Sequence, residues 1–172
     1  MRKPTIIIML LTLSISCLYA QKIYKGNSSY MSDVICNIDQ GKIYKGNSSY
    51  SSDIMANFDG TSLFSGSSSY SSDIILTYRK GKIYKGNSSY ESDVLATWRD
   101  GKMYRRTSSY QSDVLFTYKD NKVYRKNEPY SSSVLFTTSA RVHPIILYLI
   151  LMDLAGPSPV TAMHPGLHRC GA

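Results

Sequence analysis

"KIYKGNSSY" stands at residues 22–30, again at 42–50 and again at 82–90, and looser copies fill 62–70, 102–110 and 122–130. The chain from Gln21 to Arg141 is therefore six consecutive copies of one 20-residue unit, with Tyr30, Tyr50, Tyr70, Tyr90, Tyr110 and Tyr130 at constant spacing. A fixed period of this length marks a modular array, whose units bury their apolar faces against neighbours instead of alone.

Each unit carries two short runs rich in β-branched and aromatic residues, such as Lys82-Ile83-Tyr84-Lys85 and Asp93-Val94-Leu95-Ala96-Thr97-Trp98. Their length and composition predict strands. Asp100-Gly101 and Asp120-Asn121 fall between the second run of one copy and the first run of the next. Asp-Gly supplies the positive φ of a tight hairpin turn, so each hairpin straddles the boundary between copies. In the third copy Arg79-Lys80-Gly81 stands there instead. Pairing across these turns sets Trp98 against Met103, Tyr78 against Ile83 and Phe58 against Leu63. Strict alternation then puts Val94, Ala96, Trp98 and Met103 on the core face, and Leu95, Thr97, Lys102 and Tyr104 on the other. Between the strands, Asn-Ser-Ser-Tyr-x-Ser-Asp reads as a loop, because its polar side chains bond their own backbone.

The pattern Gly-Lys-Ile-Tyr-Lys-Gly-x-Ser-Ser-Tyr-x-Ser-Asp-Val-Leu resembles the bacterial four-fold β-flower proteins, small exported proteins built from such repeats; the match covers Lys22 to about Thr138. The resemblance implies an all-β array of short hairpins about a pseudo-symmetry axis, and brings no catalytic residues with it. Ser62 and Phe64 depart from the pattern, as do Glu128-Pro129 and Ser133. The repeat Gly gives way to Arg106 and Lys126. If that Gly has positive φ elsewhere, these two copies are expected to bend differently.

The ends are different text. Residues 1–20 read as a signal peptide: Arg2 and Lys3, a largely apolar stretch to Leu18, and cleavage after Ala20. Lipoprotein processing at Cys17 is the alternative, with a poor preceding box. The expected location is secreted, periplasmic or cell-surface, with no transmembrane segment in the mature chain. Residues 142–172 form a degenerate tail. Its apolar run Ile145 to Met152 reads as a short helix or strand on the end of the array, with disorder beyond Gly156. Translation out of frame is a second reading of this abrupt change.

Composition excludes more than it selects. The net charge of +8 falls by two once Arg2 and Lys3 leave, and the lysines recur with the repeat instead of clustering. A secretion signal makes nucleic acid an unsuitable partner. Cys36 and Cys170 are the cysteines of the mature chain and do not form a disulfide framework. His143, His164 and His168 are the only histidines, so the serines of the repeats lack the usual base for a nucleophile. The spacing of His164, His168 and Cys170 is weak ground for a metal. Asp33, Asp53, Asp73, Asp93 and Asp113 raise the question of a calcium ladder, but each stands alone in its loop, and capping or pairing with the repeated Lys is the better reading. Asn27, Asn47 and Asn87 match a glycosylation triplet that a bacterial chain leaves bare. No cofactor is expected.

Thirteen of the 15 tyrosines lie in three columns of the repeat. Rings packed between hairpins are one reading. The other is a set of aromatic platforms, with Tyr24, Tyr44, Tyr84, Trp98 and Tyr104 as candidate ligand-binding residues. The sequence thus predicts an exported, non-enzymatic structural or protein-interaction module. A carbohydrate- or lipid-binding module using Tyr and Trp faces with Lys and Arg is the alternative, and the partner (protein, glycan or lipid at the cell envelope) is open.

Overall fold

The computed structural model describes residues 20–154. Residues 1–19 of the predicted signal peptide and the chain beyond Leu154 lie outside the described residues. Twelve strands follow one another: β1 Gln21–Lys25, β2 Val34–Asp39, β3 Lys42–Lys45, β4 Ile54–Phe58, β5 Ser62–Ser65, β6 Ile74–Arg79, β7 Lys82–Lys85, β8 Val94–Arg99, β9 Lys102–Arg105, β10 Val114–Lys119, β11 Lys122–Arg125 and β12 Val134–Thr138. One helix, α1 Pro144–Leu154, comes last. Each strand pairs antiparallel with its sequence neighbours, and β1 pairs with β12 (Ile23 opposite Thr138), closing a barrel with no free edge.

Hairpins straddle the copies as the turn chemistry requires. Trp98 pairs with Met103, Tyr78 with Ile83 and Phe58 with Leu63. Asp100 and Gly101 both take positive φ, and Lys80-Gly81 adopts the same turn with φ of 49° and 79°. Each turn leans on the next hairpin, as where the Trp98 amide donates to the Gly81 carbonyl at 2.6 Å. The sixth hairpin has no turn, since its strands are the two ends of the barrel. Ser139 and Lys22 clasp it by mutual hydrogen bonds of 2.8 Å.

The face assignment needs one correction. In every copy the register shifts by one residue beside the strand-one aromatic (Tyr, or Phe64 in the third copy), so Tyr84 faces Val94 whereas Ile83 faces Ala96. This bulge turns Leu95 toward the core and leaves Val94 buried outside the core cluster, although Ala96, Met103 and Trp98 lie as expected. Alternation fails where two residues oppose one. A second expectation also fails. Arg106 (φ 50°) and Lys126 (φ 51°) bend as Gly46 and Gly86 do (57° and 55°), accepting left-handed backbone where the other copies use Gly.

The apolar tail segment is helical, but it is not laid on the end of the array. Ile145 through Ile150 are all buried and join one cluster with Ile23, Ile43, Leu63, Ile83, Met103, Phe116 and Phe136. A helix apolar on every side must be surrounded, and within a closed sheet the surrounding space is the lumen. Side chains alone fill a barrel of about eight strands. Twelve strands leave a wider bore, and a helix ~10–12 Å across fills it. Tyr148 sits in this interior, and burial pushes its hydroxyl up to about 12.

Candidate functional site

The barrel has two unlike ends. At one lie the tight turns and a collar of Phe58, Tyr78, Trp98 and Tyr118, each partly buried against the core. Here the chain enters the lumen. The His143 ring packs 4.8 Å from Phe58 and 4.7 Å from Tyr78, and the Val142 amide donates to the Tyr118 hydroxyl at 3.3 Å. Burial lowers the His143 pKa below 6.5, so the ring is held neutral and its Nδ1 accepts the Ile145 amide at 3.4 Å. A cleft of about 290 Å³ opens beside the collar, lined by Trp98, Tyr118, Asp120, Asn121 and Arg141 among others.

At the other end lie six loops of one construction. In five copies the first-loop serine donates to the Asp carboxylate five residues on, at 2.5 Å (Ser28 to Asp33 and its equivalents), and accepts the Tyr amide between them. The Asp amide closes the turn on the Tyr carbonyl, as Asp93 does on Tyr90 at 3.0 Å. The repeated aspartates are therefore loop clamps. In the sixth copy Ser133 takes the place of Asp, its hydroxyl donating to the Glu128 and Tyr130 carbonyls. Each loop also covers the outer face of the sheet: Thr77 Oγ1 donates to the Gly86 carbonyl at 2.7 Å, and Asn37 Nδ2 to the Ser48 carbonyl at 3.2 Å.

This covering decides where the tyrosines go. Of the predicted platform residues, Tyr44, Tyr84 and Tyr104 are buried beneath the loops, and Tyr24 is half-buried in the same column. The Arg99 guanidinium lies 4.8 Å over the Tyr104 ring. Trp98 is half-buried in the collar, 6.2 Å from Phe116, at the opposite end from the loops. The five do not form one surface. The accessible rings are the loop column instead: Tyr30, Tyr50, Tyr70, Tyr90, Tyr110 and Tyr130 are 69–75% exposed, with nearly identical backbone geometry. Packing between hairpins does not hold for this column. The sequence did contain a signal, since in four of the six loops the ring has only polar neighbours, Met31 and Pro129 being the exceptions.

The loop end also gathers charge. Lys25, Lys45, Lys85, Arg105 and Arg125 end the odd-numbered strands, opposite Phe136, Cys36, Leu76, Ala96 and Phe116 in the register, with Ser65 opposite Ala56. Directly opposed residues share a face, and those partners are core residues. The five cations are therefore on the lumen side of the sheet, at its rim, and all are exposed. Among the described residues no helix is long and apolar enough to cross a membrane.

Neither the curated proteins nor the solved structures contain a match to this chain. A family model does match, and its six-fold symmetry replaces the four-fold one of the sequence resemblance, in keeping with six copies and six loops. Its span takes in most of the lumen helix, so the apolar segment is part of the family's pattern and not a foreign text. With its six hairpins closed into one barrel, and the model matching residues 23–150, this chain belongs to the 6-fold beta flower family.

Proposed function

We propose that this protein is an exported, non-enzymatic scaffold that engages a protein partner through its six equivalent loops. The observation that carries this reading is the ring of exposed tyrosines. Six large side chains, one per copy, stand in solvent at no benefit to the core, and in five of the copies the loop is clamped by the same Ser-Asp bond. Tyrosine offers contact area at low entropic cost and is enriched at binding surfaces. Six equivalent contacts would let a weak single interaction become strong against a repetitive or symmetric partner. Export rests on the leader-like residues 1–20. The absence of a histidine from the repeats argues against serine chemistry.

Crosslinking from a photoreactive residue placed at position 50 or 110, in cells, tests the reading. A discrete protein adduct that is lost in a Tyr30→Ser, Tyr70→Ser, Tyr90→Ser chain supports it, and an absence of adducts overturns it. The exposed rings also keep the carbohydrate- or lipid-binding reading alive. A glycan and liposome panel, read by protection of these tyrosines from nitration, separates the two.

A further inference from the structure

We propose that the loop-end mouth of the barrel is a binding site for a compact polyanion bearing several phosphate or carboxylate groups. This goes beyond the loop-mediated contact above, and either can fail alone. Every odd strand but one ends in a cation on the lumen face, and side chains on that face of a closed barrel converge on its axis. The side chains of Lys25, Lys45, Lys85, Arg105 and Arg125 make no hydrogen bond or ion pair among the described residues. Like charges so gathered repel, and a bound anion relieves that repulsion.

What the chain itself offers is too little. Helix α1 enters at the turn end, and its 11 residues span about 16 Å at ~1.5 Å per residue, about the depth of a five-residue strand. Its C-terminal end, where Leu154 is exposed, therefore reaches this mouth. The carbonyl end of a helix carries about half a negative charge, and Asp153 adds one carboxylate. The Asp column is on the loops, clamped by its own serines. Glu91 is spent on Lys82 at 2.7 Å, which leaves Glu128 as a loop carboxylate on this side. Residues 155–172 contain no Asp or Glu at all. A second observation points the same way. Arg106 and Lys126 follow Arg105 and Arg125 directly, and both replace Gly at the cost of left-handed backbone. Strain of this kind persists where function holds it, and here it adds two exposed cations beside the mouth.

Because α1 occupies the bore, the ring of cations at its rim suits one compact, multiply charged group and not a duplex. Arg105 and Arg125 supply forked donors for oxyanions, and the lysines supply point charges. Ser65 breaks the ring at one place. It gives a test that misfolding cannot mimic.

Tripolyphosphate is titrated calorimetrically into the full chain, and in parallel the chain is floated on vesicles with and without phosphatidylglycerol. One tripolyphosphate per chain is expected. Lys45→Gln, Lys85→Gln and Arg105→Gln together should weaken it by about tenfold or more, whereas Lys42→Gln, Lys102→Gln and Lys122→Gln, equal in charge on the outer face, should change it by less than about threefold. Ser65→Lys should tighten binding severalfold. Binding of the vesicles that is lost in the first triple identifies a lipid headgroup as the source; binding of tripolyphosphate alone identifies a free anion. No tripolyphosphate binding at low salt, equal losses in both triples, or no gain with Ser65→Lys overturns the site.

Discussion

At Asn37 the outer sheet face carries a buried amide whose Nδ2 reaches the Ser48 carbonyl while Oδ1 has no partner. Later copies place Thr there, and Thr77, Thr97, Thr117 and Thr137 each satisfy a turn carbonyl with one hydroxyl. Asn37→Thr should therefore raise stability by about 1 kcal/mol, since an unmet buried acceptor costs ~1–3 kcal/mol; urea denaturation measures it. Glycine matters most at Gly41. A Cβ there would sit 2.4 Å from the Phe58 carbonyl oxygen, at φ +81°. Gly41→Ala should cost roughly 2 kcal/mol or more, because both the contact and the backbone region are forbidden to it. The tyrosines predict a third outcome: limited nitration followed by peptide mass mapping should mark Tyr30, Tyr50, Tyr70, Tyr90, Tyr110 and Tyr130 well before Tyr44, Tyr84 and Tyr104. Early labelling of the latter would show that the loops do not cover the sheet.

Among the elements, α1 decides stability. Five fully or nearly buried aliphatic side chains, Ile145, Ile146, Leu147, Leu149 and Ile150, represent roughly 7–15 kcal/mol of gross burial at about 1.5–3 kcal/mol each. That is as large as the whole net stability of a typical domain, ~5–15 kcal/mol. A chain ending at residue 142 should fail to fold, as near-ultraviolet dichroism would report. His143 at the helix start adds a pH dependence. Burial depresses its folded pKa below the unfolded 6.5, so the unfolded chain takes up the proton first. Stability should be full above about pH 6.5 and decline as pH falls from there toward the lowered folded value. His143→Gln should remove this part of the pH profile in thermal melts.

At the scale of the whole molecule, the number of copies and the lumen helix require each other. Deleting one unit, residues 62–81, leaves every hairpin able to pair, but ten strands enclose a narrower bore. The shortened chain should expel α1, bind a hydrophobic dye and associate on gel filtration. A native-like monomer would refute the coupling. The cation ring is a property of the same scale. One cation at a strand end is an ordinary surface charge, and only closure brings three lysines and two arginines around one axis.

The period, the strand positions, the turn-centred hairpins and the pairs Trp98–Met103, Tyr78–Ile83 and Phe58–Leu63 were legible in the chain, because each depends on contacts between residues near one another in sequence. Local information stops at the copy. It could not say that Val94 and Leu95 share a bulge, since the extra residue is counted against a strand of the preceding hairpin. Nor could it say which tyrosines are covered, because a ring is buried by a loop that folds back over the outer face, and Tyr84 and Tyr90 are equally aromatic on paper. Closure, the helix in the lumen and the gathering of charge at one mouth belong to the tertiary structure alone. They arise only when β1 meets β12 across the length of the barrel and turns a linear repeat into an inside and an outside.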